Sequence, residues 1–234
     1  MKDFKIICFI GPDGSGKSTL AKILFNDLNS RNFSTAYTWW LEGETTYLRR
    51  LVRKIGGLKR VTRFRSRNVE FEISTSNVKK NSIETLIKRA YLKFVLYEYV
   101  RFGKMKFFNL VNIQSKHILI FDRFMYDIVL FLSDEFEMDP LEKEMLMKRF
   151  ASFLPEPDIV FLIDVKPHIS YSRKSHEILS EDIAKKVWDN YHDFYSFITE
   201  VTPGKIVRID NSRPLELVSN EIKNYVENYL AERK

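Results

Sequence analysis

The sequence predicts an α/β protein with a mainly parallel, five-stranded sheet flanked by helices. Short apolar runs alternate with longer segments of helical periodicity, which is typical of repeated strand–helix units. The apolar runs are continuous rather than strictly alternating, as expected of strands that helices cover on both faces. A glycine-rich turn between the first run and the first helix indicates a phosphate site. We therefore expect one domain, residues 1–234, built around that site.

Five apolar runs are the candidate strands. Their lengths suit strands and are too short for typical helices. In chain order they are KIICFI (5–10), TAYTWW (35–40), HILIFD (117–122), DIVFLIDV (158–165) and KIVRID (205–210).

Helical periodicity is clearest in three segments, where apolar residues recur on one face. Two more helices are predicted, the second of them entered at Pro140, because proline is favoured at the first helical position. The three clear segments are 17–29, 181–200 and 215–230, and the two others are 82–102 and 141–153.

The composition is that of a soluble globular protein. Cys8 is the single cysteine, which excludes an intrachain disulfide framework and favours a reducing compartment. The first residues lack a signal-peptide pattern, and no window approaches the roughly 18 apolar residues that a membrane helix needs. We therefore expect a cytoplasmic protein with no membrane partner.

The net charge of +7 is concentrated in one segment. Between Thr45 and Lys80 there are eleven Lys or Arg residues against only Glu70 and Glu72, so the rest of the chain is slightly acidic. Such a segment favours anionic ligands, phosphates or nucleic acid, although a solvated helical face explains the same charges. Residues 42–81 also lack clear periodicity, and we expect a basic insertion there.

The stretch GPDGSGKS, residues 11–18, fits the phosphate-loop pattern G-x-x-x-x-G-K-[ST], with a strand before it and a helix after it. Its glycines let successive backbone N–H groups face an anion, and the helix N-terminus adds partial positive charge. Lys17 would reach the β- and γ-phosphates, and the Ser18 hydroxyl would bind Mg²⁺. We therefore expect a nucleoside triphosphate and Mg²⁺ to be held by Gly11, Asp13, Gly14, Ser15, Gly16, Lys17, Ser18 and Thr19.

Four further segments carry a resemblance to a known family. IFDRFMYD (120–127) is similar to an Asp-Arg-aromatic signature at the end of a third strand, and YEYVR (97–101) to an aromatic–arginine pair on the preceding helix. PDIVFLIDVKPHISYSRKS (157–175) resembles a fourth strand that leads into a lid. The C-terminal IDNSRPLELVSNEIKNYV resembles a last strand, an adenine loop and a closing helix. Together with the phosphate loop, these segments resemble the thymidylate kinases and related P-loop nucleoside monophosphate kinases.

The resemblance implies a P-loop kinase fold and the transfer of a phosphoryl group from ATP to a nucleoside monophosphate, dTMP in that family. It implies that Asp122 helps to bind Mg²⁺ and that the planar fork of Arg123 binds the acceptor phosphate. Arg173, in a lid over about 168–182, would stabilise charge on the transferred group. Lys17, Arg123 and Arg173 are therefore the expected catalytic residues.

The same resemblance implies contacts to the rest of both nucleotides. Tyr97 and Arg101, four residues apart and so on one helix face, would bind the acceptor base. Asp13 would reach the acceptor's sugar hydroxyl, and Asn211 would lie in the loop that backs the adenine. A homodimer is compatible with the family.

One segment departs from the family pattern, the divergent basic insertion at 42–81, which the resemblance implies lies on the acceptor side of the site. Where thymidylate kinases follow the second strand with an Arg-Glu-Pro-Gly loop, this chain reads TWWLEGETTYLRR, with no arginine before Arg49. This leaves open a kinase for another small acceptor. Two other classes also remain: an NTPase or regulator that binds nucleic acid through residues 45–80, and a nucleotide-binding protein without catalysis. A complete set of transfer residues argues against the last of these, because binding alone does not require it.

Overall fold

A computed structural model describes residues 4–39, 82–136, 138–175, 180–201 and 206–232. Strands and helices alternate along these ranges, and a short π-helical turn, Asn109–Ile113, extends the second helix. The strands are β1 (Lys5–Ile10), β2 (Thr35–Trp39), β3 (Ile118–Asp122), β4 (Ile159–Asp164) and β5 (Ile206–Asp210). The α-helices are α1 (Lys17–Ser30), α2 (Ser82–Phe108), α3 (Met125–Glu135), α4 (Pro140–Ala151), α5 (Pro167–Arg173), α6 (Glu181–Val201) and α7 (Leu215–Ala231).

The five strands form one parallel sheet in the order β2-β3-β1-β4-β5. The predicted fold class is therefore confirmed, and the strand ends shift by a residue. β4 is one residue shorter at each end than predicted, and Asp158, just before it, accepts a hydrogen bond from Ile6 N with its carboxylate. β3 begins at Ile118, and the predicted strand ends at Trp40 and Lys205 lie outside the described residues.

Apolar side chains cover both faces of the sheet, which explains the continuous runs in the sequence. In β1, Cys8 and Ile10 belong to the core beneath α3, α4 and α6, whereas Ile7 and Phe9 belong to the core beneath α1 and α7. All four side chains are at most 1% exposed. β1 is thus the central strand of two packed layers.

Two helices differ from the sequence prediction. α2 extends to Phe108 instead of residue 102, passing through Gly103, which is buried; tertiary packing here outweighs the low helix propensity of glycine. α3 was not predicted, because its short, mostly apolar sequence does not distinguish a buried helix from a buried strand. α4 begins at Pro140 as predicted, behind a reciprocal cap between Asp139 and Glu142.

The chain places β3 on one side of β1 and β4 on the other. In parallel α/β sheets the crevice outside the carboxyl ends of such strands is where ligands bind. The loop after β1, the end of β3 and the segment after β5 all lie at this edge. Within the described ranges, no helix is both long enough and apolar enough to cross a membrane.

Candidate active site

The loop between β1 and α1 is a compact turn. At two of its positions, Gly14 and Gly16, only glycine fits. Gly14 and Gly16 have φ of 80° and 92°, in the left-handed region that residues with side chains rarely adopt. A Cβ on Gly14 would lie 2.7 Å from the carbonyl oxygen of Ser170, and one on Gly16 would lie 2.3 Å from Nδ2 of Asn211. The loop is therefore packed directly against α5 and the segment after β5.

Lys17 is the buried cation of this loop. Its Nζ donates a hydrogen bond of 2.8 Å to the Pro12 carbonyl oxygen and lies 3.7 Å from Oδ1 of Asp13. Burial, together with the nearby positive charge of Arg123, lowers the pKa of Lys17 to about 8. Ser18 and Thr19 begin α1 beside it, and both are exposed.

Arg123 follows β3 directly and reaches the same loop. Its φ of 68° is unusual for a residue with a side chain, and its backbone N–H donates to the carbonyl oxygen of Phe9 at 2.9 Å. Its Nη2 is hydrogen-bonded to Oδ1 of Asp13. Burial opposes the ionisation of Asp13, but the charges of Lys17 and Arg123 outweigh it and lower the pKa of Asp13 to about 2. Two cations and one carboxylate thus meet at the loop.

The other side of the Arg123 guanidinium is held by two residues that the sequence analysis did not assign. Nη1 lies 3.1 Å from Oδ1 of Asp127 and donates to the hydroxyl of Tyr191 at 3.2 Å. Burial raises the pKa of Asp127, and it also raises the pKa of Tyr191. No helix-face spacing pointed to Asp127, because Arg123 precedes α3 and α3 itself was not predicted. No local pattern pointed to Tyr191.

Asp122 is the last residue of β3 and is 2% exposed. Its Oδ2 accepts a hydrogen bond of 3.0 Å from the Tyr37 hydroxyl, whereas its buried Oδ1 has no hydrogen-bond partner among the described residues. A buried carboxylate oxygen without a partner is costly. Carboxylate and hydroxyl oxygens are ligands that Mg²⁺ prefers, so Asp122 and Ser18 fit the metal that the sequence predicts.

Arg173 and Asn211 lie together beside the phosphate loop. Arg173, the last residue of α5, donates from Nη2 to the Asn211 carbonyl oxygen at 3.0 Å, and Nδ2 of Asn211 donates to the Ser15 carbonyl oxygen at 2.6 Å. Ser170, one turn earlier in α5, donates from its hydroxyl to the Asp13 carbonyl oxygen. The start of the predicted lid, about 168–182, is therefore bonded to the loop.

Tyr97 and Arg101 lie on an open groove between α2 and α4, with a volume of about 490 Å³. Both side chains are exposed, Tyr97 to 62%. Within the described parts of the chain, no hydrogen bond or ion pair joins either of them to Arg123 or to the phosphate loop. Their assignment to the acceptor base stays a prediction, and Arg49 lies outside the described residues.

The sequence and fold resemble known proteins over nearly the whole chain. The sequence model of the thymidylate kinase family matches residues 95–222, more than half of the chain. A thymidylate kinase from Orientia tsutsugamushi is 26% identical over 233 residues, which cover 96% of this chain and 93% of that protein. One from Fervidobacterium nodosum is 25% identical over 226 residues, covering 96% and 99%. A solved thymidylate kinase structure from Ehrlichia chaffeensis superposes with a TM-score of 0.54 at 19% identity, covering 95% of this chain and 98% of that one.

Proposed function

Because the chain belongs to the thymidylate kinase family, we propose that it is a nucleoside monophosphate kinase that converts dTMP and ATP into dTDP and ADP. The hydrogen bond between Arg123 and Asp13 carries the proposal. This bond connects the guanidinium of Arg123, at the end of β3, to the donor loop, and guanidinium groups commonly bind phosphates. A guanidinium beside the donor loop can bind the phosphate of an acceptor, so it suits phosphoryl transfer to a monophosphate. Hydrolysis of ATP by water does not require such a group.

The donor side of the mechanism uses the loop and its neighbours. Backbone N–H groups of residues 11–18 and the ammonium of Lys17 would bind the β- and γ-phosphates of ATP. Asn211, which is 4% exposed and bonded to the loop, would help to form the adenine side of the donor site. Arg173 would approach the transferred group from α5.

The acceptor side centres on Arg123. Its guanidinium would bind the acceptor phosphate, while Asp13 would accept a hydrogen bond from the sugar hydroxyl, and Tyr97 and Arg101 would contact the base. An acceptor phosphate oxygen then attacks the γ-phosphorus, the bond from that phosphorus to the β–γ bridging oxygen breaks, and ADP leaves. The attacking oxygen is already anionic, so positioning and charge stabilisation supply the catalysis without a strong general base.

Mg²⁺ belongs to the proposal because the donor set of the site suits it. Asp122, with its buried unpartnered Oδ1, and the hydroxyl of Ser18 would hold the ion. When bound, Mg²⁺ neutralises charge on the β- and γ-phosphates.

A panel of acceptors tests the function. Purified protein with ATP and Mg²⁺ is given dTMP, dUMP, other nucleoside monophosphates or no acceptor, and ADP and the nucleoside diphosphates are quantified by chromatography. We expect dTDP with the highest kcat/KM for dTMP. If ADP formed equally without any acceptor, the protein would be an NTPase and not a kinase. If another monophosphate had a higher kcat/KM, that monophosphate and not dTMP would be the preferred acceptor.

The assembly and the cellular location also remain proposals. We propose a homodimer, which sedimentation equilibrium would detect as a mass twice the chain's 27.9 kDa. A cytoplasmic location, single-domain organisation and the role of residues 42–81 stay predictions from the sequence.

A further inference from the structure

We propose that Asp127 is a positioning residue for the acceptor, which orients Arg123 so that one edge of its guanidinium faces the incoming monophosphate. This inference rests on the proposed function, because it concerns the acceptor side of the same site. No catalytic or binding role was predicted for Asp127 from the sequence.

Three side chains form a closed cluster around Nη1 of Arg123. Oδ1 of Asp127 lies 3.1 Å from Nη1, the Tyr191 hydroxyl accepts from Nη1 at 3.2 Å, and the same hydroxyl donates to Oδ1 of Asp127 at 3.3 Å. The Asp127 carboxylate is 2% exposed and the Arg123 side chain 15%. The residues come from the end of β3, from α3 and from α6, so tertiary structure fixes this edge of the fork.

The other edge of the guanidinium faces an exposed carboxylate. Nη2 is hydrogen-bonded to Asp13, whose side chain is 56% exposed. Because a guanidinium is planar and rigid, fixing Nη1 also fixes the direction of Nη2. Arg123 therefore has one permanent, buried carboxylate partner and one exposed partner that an anion can exchange with. The acceptor phosphate is such an anion.

Asp127 is itself held in place by its helix. It is the third residue of α3, and its Oδ2 accepts from the backbone N–H of Phe124 at 3.4 Å. Without a carboxylate at this position, the partly buried charge of Arg123 would lose its fixed partner, and Asp13 would be its remaining charged partner among the described residues. Arg123 would then be drawn toward Asp13 and would bind the acceptor phosphate less well.

Steady-state kinetics of Asp127→Ala, Asp127→Asn and Tyr191→Phe test the proposal. For Asp127→Ala we expect the KM for dTMP to rise about tenfold, the effect of losing a charge-assisted hydrogen bond, with the KM for ATP within about twofold. Asp127→Asn keeps an oxygen that can accept a hydrogen bond from Arg123, so the KM for dTMP should rise less than in Asp127→Ala. Tyr191→Phe should raise the KM for dTMP by less than Asp127→Ala does.

The chain offers two matched controls. Tyr195 lies one turn after Tyr191 on α6, and its buried hydroxyl has no hydrogen-bond partner among the described residues, so Tyr195→Phe should leave the KM for dTMP unchanged. Glu142 is the third residue of α4 and accepts from the backbone N–H of Asp139, so Glu142→Gln removes an equivalent helix-capping carboxylate elsewhere. If Glu142→Gln raised the KM as much as Asp127→Asn, the effect would be one of capping and the proposal would be wrong.

A readout independent of activity separates this proposal from the proposed function. Guanidinium NMR of the full-length protein measures the rotation of Arg123 about its Nε–Cζ bond. We expect slow rotation in the parent protein and rotation at least about tenfold faster in Asp127→Asn, because the Nη1 partners hold that edge. If the parent protein formed no dTDP, the proposed function would be wrong, but the NMR measurement would still test the role of Asp127. Unchanged rotation, or equal rises in the KM for ATP and dTMP, would overturn the role of Asp127.

Discussion

Lys17 is the residue on which we expect binding of the donor phosphates to depend most. Its ammonium is buried in the loop and bonded to a backbone oxygen, so it is preorganised for a phosphate oxygen. Lys17→Ala should lower kcat by about 10²- to 10³-fold, as expected from the loss of one preorganised donor. The exposed Lys22 on the same helix is the control, and Lys22→Ala should leave kcat unchanged. Near-normal turnover of Lys17→Ala in the dTMP assay would contradict the assignment of the loop.

Asp13 is expected to serve the acceptor more than the donor. Its carboxylate points to Arg123 and Lys17 and is ionised at neutral pH, because its pKa is lowered to about 2. Asp13→Ala should raise the KM for dTMP about tenfold, through loss of a hydrogen bond from the sugar hydroxyl to a charged acceptor, and should change the KM for ATP far less. If the two constants rose equally, Asp13 would only shape the loop. A lower KM for dTMP would show that Asp13 merely competes with the acceptor for Arg123.

At the scale of elements, Asp164 at the end of β4 connects α6 to the sheet by hydrogen bonds. Its Oδ1 accepts from Trp188 Nε1 at 3.0 Å and its Oδ2 from Arg208 Nε at 3.0 Å, while the His192 ring stacks on Trp188 with centroids 3.7 Å apart. α6 also carries Tyr191, so this attachment helps to set the distance between α6 and Arg123.

Asp164→Asn should therefore destabilise the protein in a pH-dependent way. Hydrogen bonds from Arg208 and Trp188 outweigh burial and lower the pKa of Asp164, so the ionised form stabilises the fold above the pKa of the unfolded chain, about 3.9. That stabilisation is lost as the pH falls through the lower folded pKa. We expect a loss of about 1–2 kcal/mol in unfolding free energy at pH 7 and little difference near the folded pKa.

Denaturant titrations at pH 7 and in acid measure this difference. Asp210, the register partner of Asp164 on β5, is exposed and is the matched control. Asp210→Asn should cost less at pH 7. An equal loss at both pH values for Asp164→Asn would show that packing, not charge, accounts for it.

The contact between the phosphate loop and α5 gives a second prediction for an element. Gly14→Ala would force a Cβ to within 2.7 Å of the Ser170 carbonyl oxygen at a φ of 80°, so α5 must move away. We expect a loss of about 1–3 kcal/mol in unfolding free energy and a higher KM for ATP. Ser15→Ala removes a hydroxyl with no partner among the described residues, so it should change the unfolding free energy little. A Gly14→Ala protein of normal stability would show that the contact is loose.

At the scale of the whole molecule, the sheet lies between two core layers, which form separate clusters among the residues that the structure describes. Ile128 of α3 packs on one face and Ile222 of α7 on the other, and both are at most 1% exposed. Ile128→Val and Ile222→Val should each cost about 0.5–1.5 kcal/mol in unfolding free energy, and the double variant should lose the sum within about 0.5 kcal/mol. Circular dichroism during urea unfolding measures this. Strong non-additivity would mean that the layers are coupled through the sheet.

The sequence by itself determined the architecture and the donor loop. Continuous apolar runs such as those of β1 and β4 are diagnostic because burial on both faces leaves no polar alternation, and GPDGSGKS is diagnostic because its glycines and Lys17 are adjacent in the chain. Both signals are local. The resemblance of IFDRFMYD to a family signature further identified Arg123, and the match of residues 95–222 supports that family.

Tertiary structure alone decided how the site is assembled. Tyr191 reaches Arg123 across 68 positions of sequence, and Asn211 bonds to Ser15 across 196, separations at which no periodicity or spacing rule operates. The helix α3 that holds Asp127 was also missed, because a short, mostly apolar sequence does not distinguish a buried helix from a buried strand. Local chemistry specifies which residues can bind phosphate, and the order of the strands decides which of them meet.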